Sequence, residues 1–140
     1  MNRLFLILFL VSFSLLACNR DKKHLVGSWK LEYGLTSSVT PDTILPKAEE
    51  TYHFYSEGAF AIDRIKKDGG QEQLEVARGN WEMGEESRDD QEIQFITLRE
   101  KQLQKIIEQR YDIERLTDDT LIWQDRRKSR YIFVKTEDNF

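Results

Sequence analysis

Few side chains in this 140-residue sequence offer reactive chemistry. The single thiol, Cys18, stands in LLACNRDKK, where an apolar run stops and a charged stretch begins. A core cysteine has no reason to fall at such a boundary, so its position points to modification. His24 and His53 are the only histidines, and neither has a cysteine or second histidine nearby. A zinc site needs three or four nitrogen or sulfur ligands, so no metal site or cofactor is assigned. The chain has no G-x-S-x-G elbow and no glycine-rich phosphate loop. Its carboxylates fall mostly in turns and on polar faces of alternating segments, where solvation is their ordinary role. No catalytic residue is assigned, and the chain reads as a non-enzyme. What remains is aromatic: Tyr33, Tyr52, Phe54, Phe60, Trp81, Tyr111 and Trp123, with Tyr131 and Phe133 behind them. Such residues either pack a core or line a cavity for a small hydrophobic ligand.

The environment of Cys18 is more specific. Met1, Asn2 and Arg3 precede the uncharged run LFLILFLVSFSLLA. As a helix this run would be about 21 Å long, short of the roughly 30 Å hydrocarbon core of a bilayer. A positive start, a short apolar segment and a small-residue end form a secretory signal over residues 1–17. Leu15, Leu16, Ala17 and Cys18 resemble the lipobox of bacterial lipoproteins. That resemblance implies lipid on the Cys18 sulfur, cleavage before it and acylation of the new N-terminus, with residues 18–24 as lipidated cysteine and tether. Two or more acyl chains give the stable anchoring that one does not. The tether NRDKKH lacks the acidic block of surface-exported lipoproteins, which favours an envelope location on the periplasmic side of the outer membrane.

Cleavage removes only Arg3 from the 21 basic residues and leaves 20 against 25 acidic ones. An acidic domain of this size is a poor match for nucleic acid, whose non-specific binding rests on neutralising phosphates. QDRRKSR (residues 124–130) is a local basic exception, read as a polar turn between two strands, with an anionic partner as the alternative.

The elements that would position these residues are strands. In LVGSWKLEY, residues 25, 29, 31 and 33 are apolar or aromatic and alternate with polar ones, which marks a strand with one buried face. TYHFYSEGAFAIDRI reads as a hairpin about SEG, and KKDGG as the next turn. In EQLEVARGNWEM the apolar phase changes between Leu74, Val76 and Trp81, Met83, which predicts a bulge or bend near Gly79. EESRDD reads as a charged loop and QEIQFITL as a strand. For residues 99–105 the pattern leaves helix and strand open; residues 106–116 favour strand. LTDDTLIWQD and RYIFVK close the chain as two short strands. The sum is an all-β domain over residues 25–140, with eight or nine antiparallel strands in an up-and-down meander. SSVTPDTILPKAEE is its one long connection, a surface loop or a lid over a barrel mouth.

Gly27, Ser28 and Trp29 match the G-x-W of the first lipocalin strand, and YHFYSEGAF, GNWEM and YDIERLTDDTLIW…RYIFV follow in the order of later strand blocks. Over residues 25–135 the chain therefore resembles the lipocalin-like lipoproteins of Bacteroidota-type bacteria. The resemblance implies a barrel whose floor is plugged by Trp29, reached through Gly27, and crossed by an arginine near the last strand; Arg126, Arg127 and Arg130 all lie in that region. It also implies a small hydrophobic ligand. An eight-stranded barrel either fills itself with side chains or holds one small ligand, and so many large aromatics favour filling. A filled barrel would act through a periplasmic protein partner instead, as inhibitor or scaffold.

Overall fold

The computed structural model describes residues 21–46 and 48–137, so Leu15, Leu16, Ala17 and Cys18 lie outside the described residues. A helical turn at 21–25 leads into nine strands: β1 (Gly27–Leu35), β2 (Thr43–Ile44), β3 (Glu49–Phe54), β4 (Ala59–Asp68), β5 (Gln71–Arg88), β6 (Gln91–Gln102), β7 (Lys105–Leu116), β8 (Thr120–Gln124) and β9 (Arg130–Thr136). Each strand from β3 onward pairs antiparallel with the next, and β1 pairs with both β3 and β9. Eight strands thus close into a barrel, with two-residue β2 added beside the end of β1. Closure leaves no sheet edge running the full height of the wall.

The short turns explain the meander. Gly69 and Gly70 both have positive φ between β4 and β5, as a two-residue hairpin of this hand requires. The predicted charged loop at 85–90 is shorter than expected, because β5 continues through Arg88. The chain turns on Asp89 and Asp90 alone, at φ 51° and 61°. Arg88 bonds both Glu86 and Asp112, which holds that end of the strand in the wall. The open question over 99–105 resolves as a hairpin, with β6 ending at Gln102 and β7 starting at Lys105.

No bulge occurs at Gly79. The first half of β5 pairs with β4 and the second half with β6, both without a register shift, and Gly79 faces Phe60 on one side and Glu100 on the other. A Cβ there would lie 1.9 Å from the Arg99 carbonyl oxygen, so the close approach of β6 requires glycine. The phase therefore holds: Ala77, Trp81 and Met83 face inward, and Leu74 and Val76 are exposed on the outside. Register shifts occur instead in β7, between Ile113 and Arg115, and in β1, between Leu31, opposite Phe133, and Tyr33, opposite Ile132. The extra residue in β1 turns Tyr33 out of the barrel, where it is 39% exposed, and corrects the inward placement expected for it.

One end of the barrel is closed. Trp29 is fully buried there, and its indole N–H donates to the Leu25 carbonyl oxygen at 2.7 Å, fastening the helical turn across the floor. Phe54, Phe60, Trp81, Met83, Ile96, Leu98 and Leu121 fill the space above it. The cation over the Trp29 ring is Lys135, its Nζ 5.2 Å from the ring centroid and 3.2 Å from the Val26 carbonyl oxygen. None of Arg126, Arg127 and Arg130 can take this role, because the β8–β9 turn and the start of β9 that carry them are at the opposite end of the barrel. Ser28 pairs with Thr136 at the closed end and Leu35 with Arg130 at the other.

Candidate functional site

Strand direction places the turns at 69–70, 103–104 and 125–129 and the connection at 36–48 at the open end. Below them lies a solvent-open cavity of about 740 Å³. Its base is aromatic. Tyr111 stacks on Trp123 (4.6 Å between centroids, 16°), and Tyr52 meets Trp123 and Phe133 edge-on at 5.6 and 5.1 Å. Trp123 and Phe133 are 4.6 Å apart. These geometries are the ones ring quadrupoles favour, each contributing about 1 kcal/mol beyond area burial.

Above the rings the wall becomes polar. Arg64 of β4 donates to Glu50 of β3 at 3.0 Å, and the Tyr52 hydroxyl lies 3.4 Å from the same carboxylate. Burial pushes the Tyr52 phenol well above its ordinary pKa, and the negative Glu50 pushes in the same direction. Burial also raises Tyr111 to about 12, with Tyr131 and Asp125 adding to it. Both phenols stay protonated near neutral pH and present O–H donors; Tyr111 donates to Gln109 Oε1 at 2.8 Å. For Arg64, burial alone would lower the pKa, but Glu50 outweighs it and the net shift is upward, so the guanidinium stays charged.

The residues singled out in the sequence divide into three groups. Tyr52, Tyr111 and Trp123 line the cavity, together with Tyr131 and Phe133. Phe54, Phe60 and Trp81 lie deeper, with Gly27 and Trp29 at the floor, and do not line it. Tyr33 faces outward. The long connection is a surface loop rather than a lid: Val39 and Leu45 are exposed, and none of its described residues lines the cavity. Sequence reasoning missed Glu50 and Arg64. The signal was present, because Glu50 continues the inward phase of Tyr52 and Phe54, and Arg64 that of Phe60 and Ile62. Charge ordinarily marks the outer face of a strand, and these two residues are exceptions.

A second missed group lies on the outer wall. Ser28 Oγ is 2.7 Å from His53 Nδ1, and His53 Nε2 is 2.9 Å from Asp63 Oδ2. The residue types are those of a hydrolytic triad, but Ser28 is only 3% exposed and pairs with Thr136 in the barrel seam. A nucleophile must reach its substrate; this chain ties three strands together. Among the described residues no group of three or more His, Cys, Asp or Glu is arranged to hold a metal ion.

No protein-family model matches the sequence, and no curated protein sequence does. Two solved structures match in fold. A lipocalin-like protein from Bacteroides uniformis superposes with a TM-score of 0.58 at 17% identity, over 81% of this chain and 99% of that one. An uncharacterized protein from Bacteroides eggerthii gives 0.55 at 16% identity, over 79% and 98%. The fold is that of a lipocalin-like barrel.

Proposed function

We propose that this protein is a non-enzymatic binding module of the bacterial envelope that holds a small, largely hydrophobic molecule in the upper half of its barrel. One observation carries the reading: the barrel is packed below and open above, with a cavity of about 740 Å³ over an aromatic base. That volume lies in the range of small-molecule sites. The lipocalin-like fold supports the reading by analogy only.

The same proposal includes lipid attachment at Cys18, on the lipobox pattern. Asp21, where the described chain starts, accepts from Gln94 near the start of β6, at the closed end. Three Cα steps separate it from Cys18, at most about 11 Å of chain. An anchor there would hold the closed end toward the membrane and leave the mouth facing the aqueous phase. The periplasmic face of the outer membrane is the location this reading favours.

The test is a native mass spectrum of the chain purified from its own envelope without exogenous lipid. A mass adduct lost on replacing Tyr111 by Ala is expected. An adduct-free chain that also leaves tryptophan fluorescence unmoved by an envelope lipid extract would defeat ligand binding. For the anchor, labelled palmitate should enter the wild type and not C18S.

A second reading has one observation in its favour. Leu103 is fully exposed at the β6–β7 tip and Ile106, Leu74 and Val76 are exposed on the two projecting hairpins, as a protein-docking surface would have them. Cross-linking in the envelope that captures no protein dependent on Leu103 and Ile106 would remove it.

A further inference from the structure

The charges around the cavity are not evenly matched. Arg64 is held by Glu50 and lies 3.9 Å from Glu75. Arg110 is paired with Glu86 at 2.7 Å and its guanidinium rests 3.6 Å over the Phe95 ring. Among the lining carboxylates, Glu108 is paired with Arg99 at 2.9 Å. Asp125 is spent on its own turn: Oδ1 accepts the backbone N–H groups of Arg127 and Ser129 at 2.8 and 3.0 Å, and Oδ2 lies 3.3 Å from the Tyr131 hydroxyl. Arg126 and Arg127 remain. Both line the cavity, both are exposed, and neither side chain has a hydrogen-bond or ion-pair partner among the described residues. Of the four arginines that line the cavity, Arg126 and Arg127 are therefore the two without a carboxylate partner, and the lining holds four cations against three carboxylates in a chain whose net charge is −4.

The wall beside them is incomplete. β7 and β8 pair from Asp112 opposite Gln124 down to Leu116 opposite Leu121. Above this, residues 105–111 have ladder partners in β6 alone. A second cleft of about 300 Å³ lies at the gap and shares Arg110, Asp125 and Arg126 with the main cavity. A bound molecule could thus keep its apolar body on the Tyr111–Trp123 stack and its polar end beside the β8–β9 turn, in contact with water.

Resting on the binding function proposed above, we infer that the ligand is an amphipathic anion, an apolar body with one carboxylate, sulfonate or phosphate group, and that Arg126 and Arg127 hold this headgroup. Guanidinium groups recognise such oxyanions by paired, charge-assisted hydrogen bonds. The headgroup remains partly hydrated, so the preference weakens with salt.

A matched probe pair tests this: 1-anilinonaphthalene-8-sulfonate and the uncharged N-phenyl-1-naphthylamine, which share one ring system. The barrel closes within residues 27–136 and its buried set runs from Leu25 to Phe133, so the chain without its first 18 residues serves. Binding is read by energy transfer from tryptophan. The sulfonate is expected to bind about 10-fold tighter than the neutral probe. R126Q/R127Q should bring the ratio close to one, whereas R130Q, which removes a cation at the start of β9 that is already paired with Glu114 of β7, should leave it. Laurate or 1-naphthoate should displace the sulfonate, and whichever does so distinguishes an acyl chain from a ring. Equal affinities in the wild type, a ratio that survives the double variant, an equal collapse in R130Q, or displacement by neither acid would overturn the inference while leaving ligand binding standing. Binding of neither probe would overturn both.

Discussion

The two halves of the barrel are built from the same strands and use them differently. On the inner face, β3 runs from Phe54 through Tyr52 to Glu50, and β4 from Phe60 through Ile62 to Arg64. β5 passes from Trp81 through Ala77 to Glu75, and β6 from Ile96 through Leu98 to Glu100. Period-two alternation persists along each strand while the inward residue changes from apolar to charged. Where the inward residues are large and apolar, the barrel closes on itself and its packing supplies stability. Where they are charged, Glu50 and Arg64 pair across the wall, and the cavity opens beside them. A binding cavity is thus obtained without a void in the hydrophobic core, where each missing methylene would cost stability.

This division predicts a gradient of mutational effects. The largest belongs to the floor: W29A, which leaves a hole beneath Leu25 and removes the hydrogen bond to it, should cost about 3–5 kcal/mol in urea unfolding. A loss under about 1 kcal/mol would mean that the lower half is not where stability resides. The next separates the halves by pH. The folded state holds the phenols of Tyr52 and Tyr111 above their unfolded pKa of 10, so the unfolded chain releases its protons first. Stability should be fully present below pH 10 and fall as pH rises beyond it, the Tyr111 part being lost by about pH 12 and amounting to on the order of 2 kcal/mol. The fall should flatten in Y52F/Y111F; a profile unchanged by that double variant would show that these phenols do not govern it.

Smaller effects mark the polar wall. Glu50 and Arg64 are each about one-fifth exposed, so E50Q leaves a partly buried cation without its partner and should cost about 1–2 kcal/mol. The E50Q/R64M pair should recover part of that loss, and a double-mutant cycle measures the coupling. At the small end, L74S, on the outside of the β4–β5 hairpin, should change stability by no more than about 0.5 kcal/mol. A large loss there would place part of the core where none is described.

Alternation, short turn signals and aromatic content make the barrel legible in the sequence. Each strand's register follows from local residues, and a closed meander is what short antiparallel neighbours form. The aromatic base of the cavity was legible for the same reason, since Tyr52, Tyr111 and Trp123 sit in phase with their strands. Three things were decided only in three dimensions. The bulge in β1 reversed Tyr33, because one extra residue opposite β9 shifts the phase of everything beyond it. The absence of a bulge in β5 turned Leu74 and Val76 outward, because β5 changes partner at Gly79 without changing register. The cavity itself depended on which charges meet: Glu50 and Arg64 are 14 residues apart, and only the β3–β4 pairing brings them together. Sequence determines which face of a strand a residue occupies, because that period is local. Which residues share an interior, and whether they fill it, follows from pairings between distant segments.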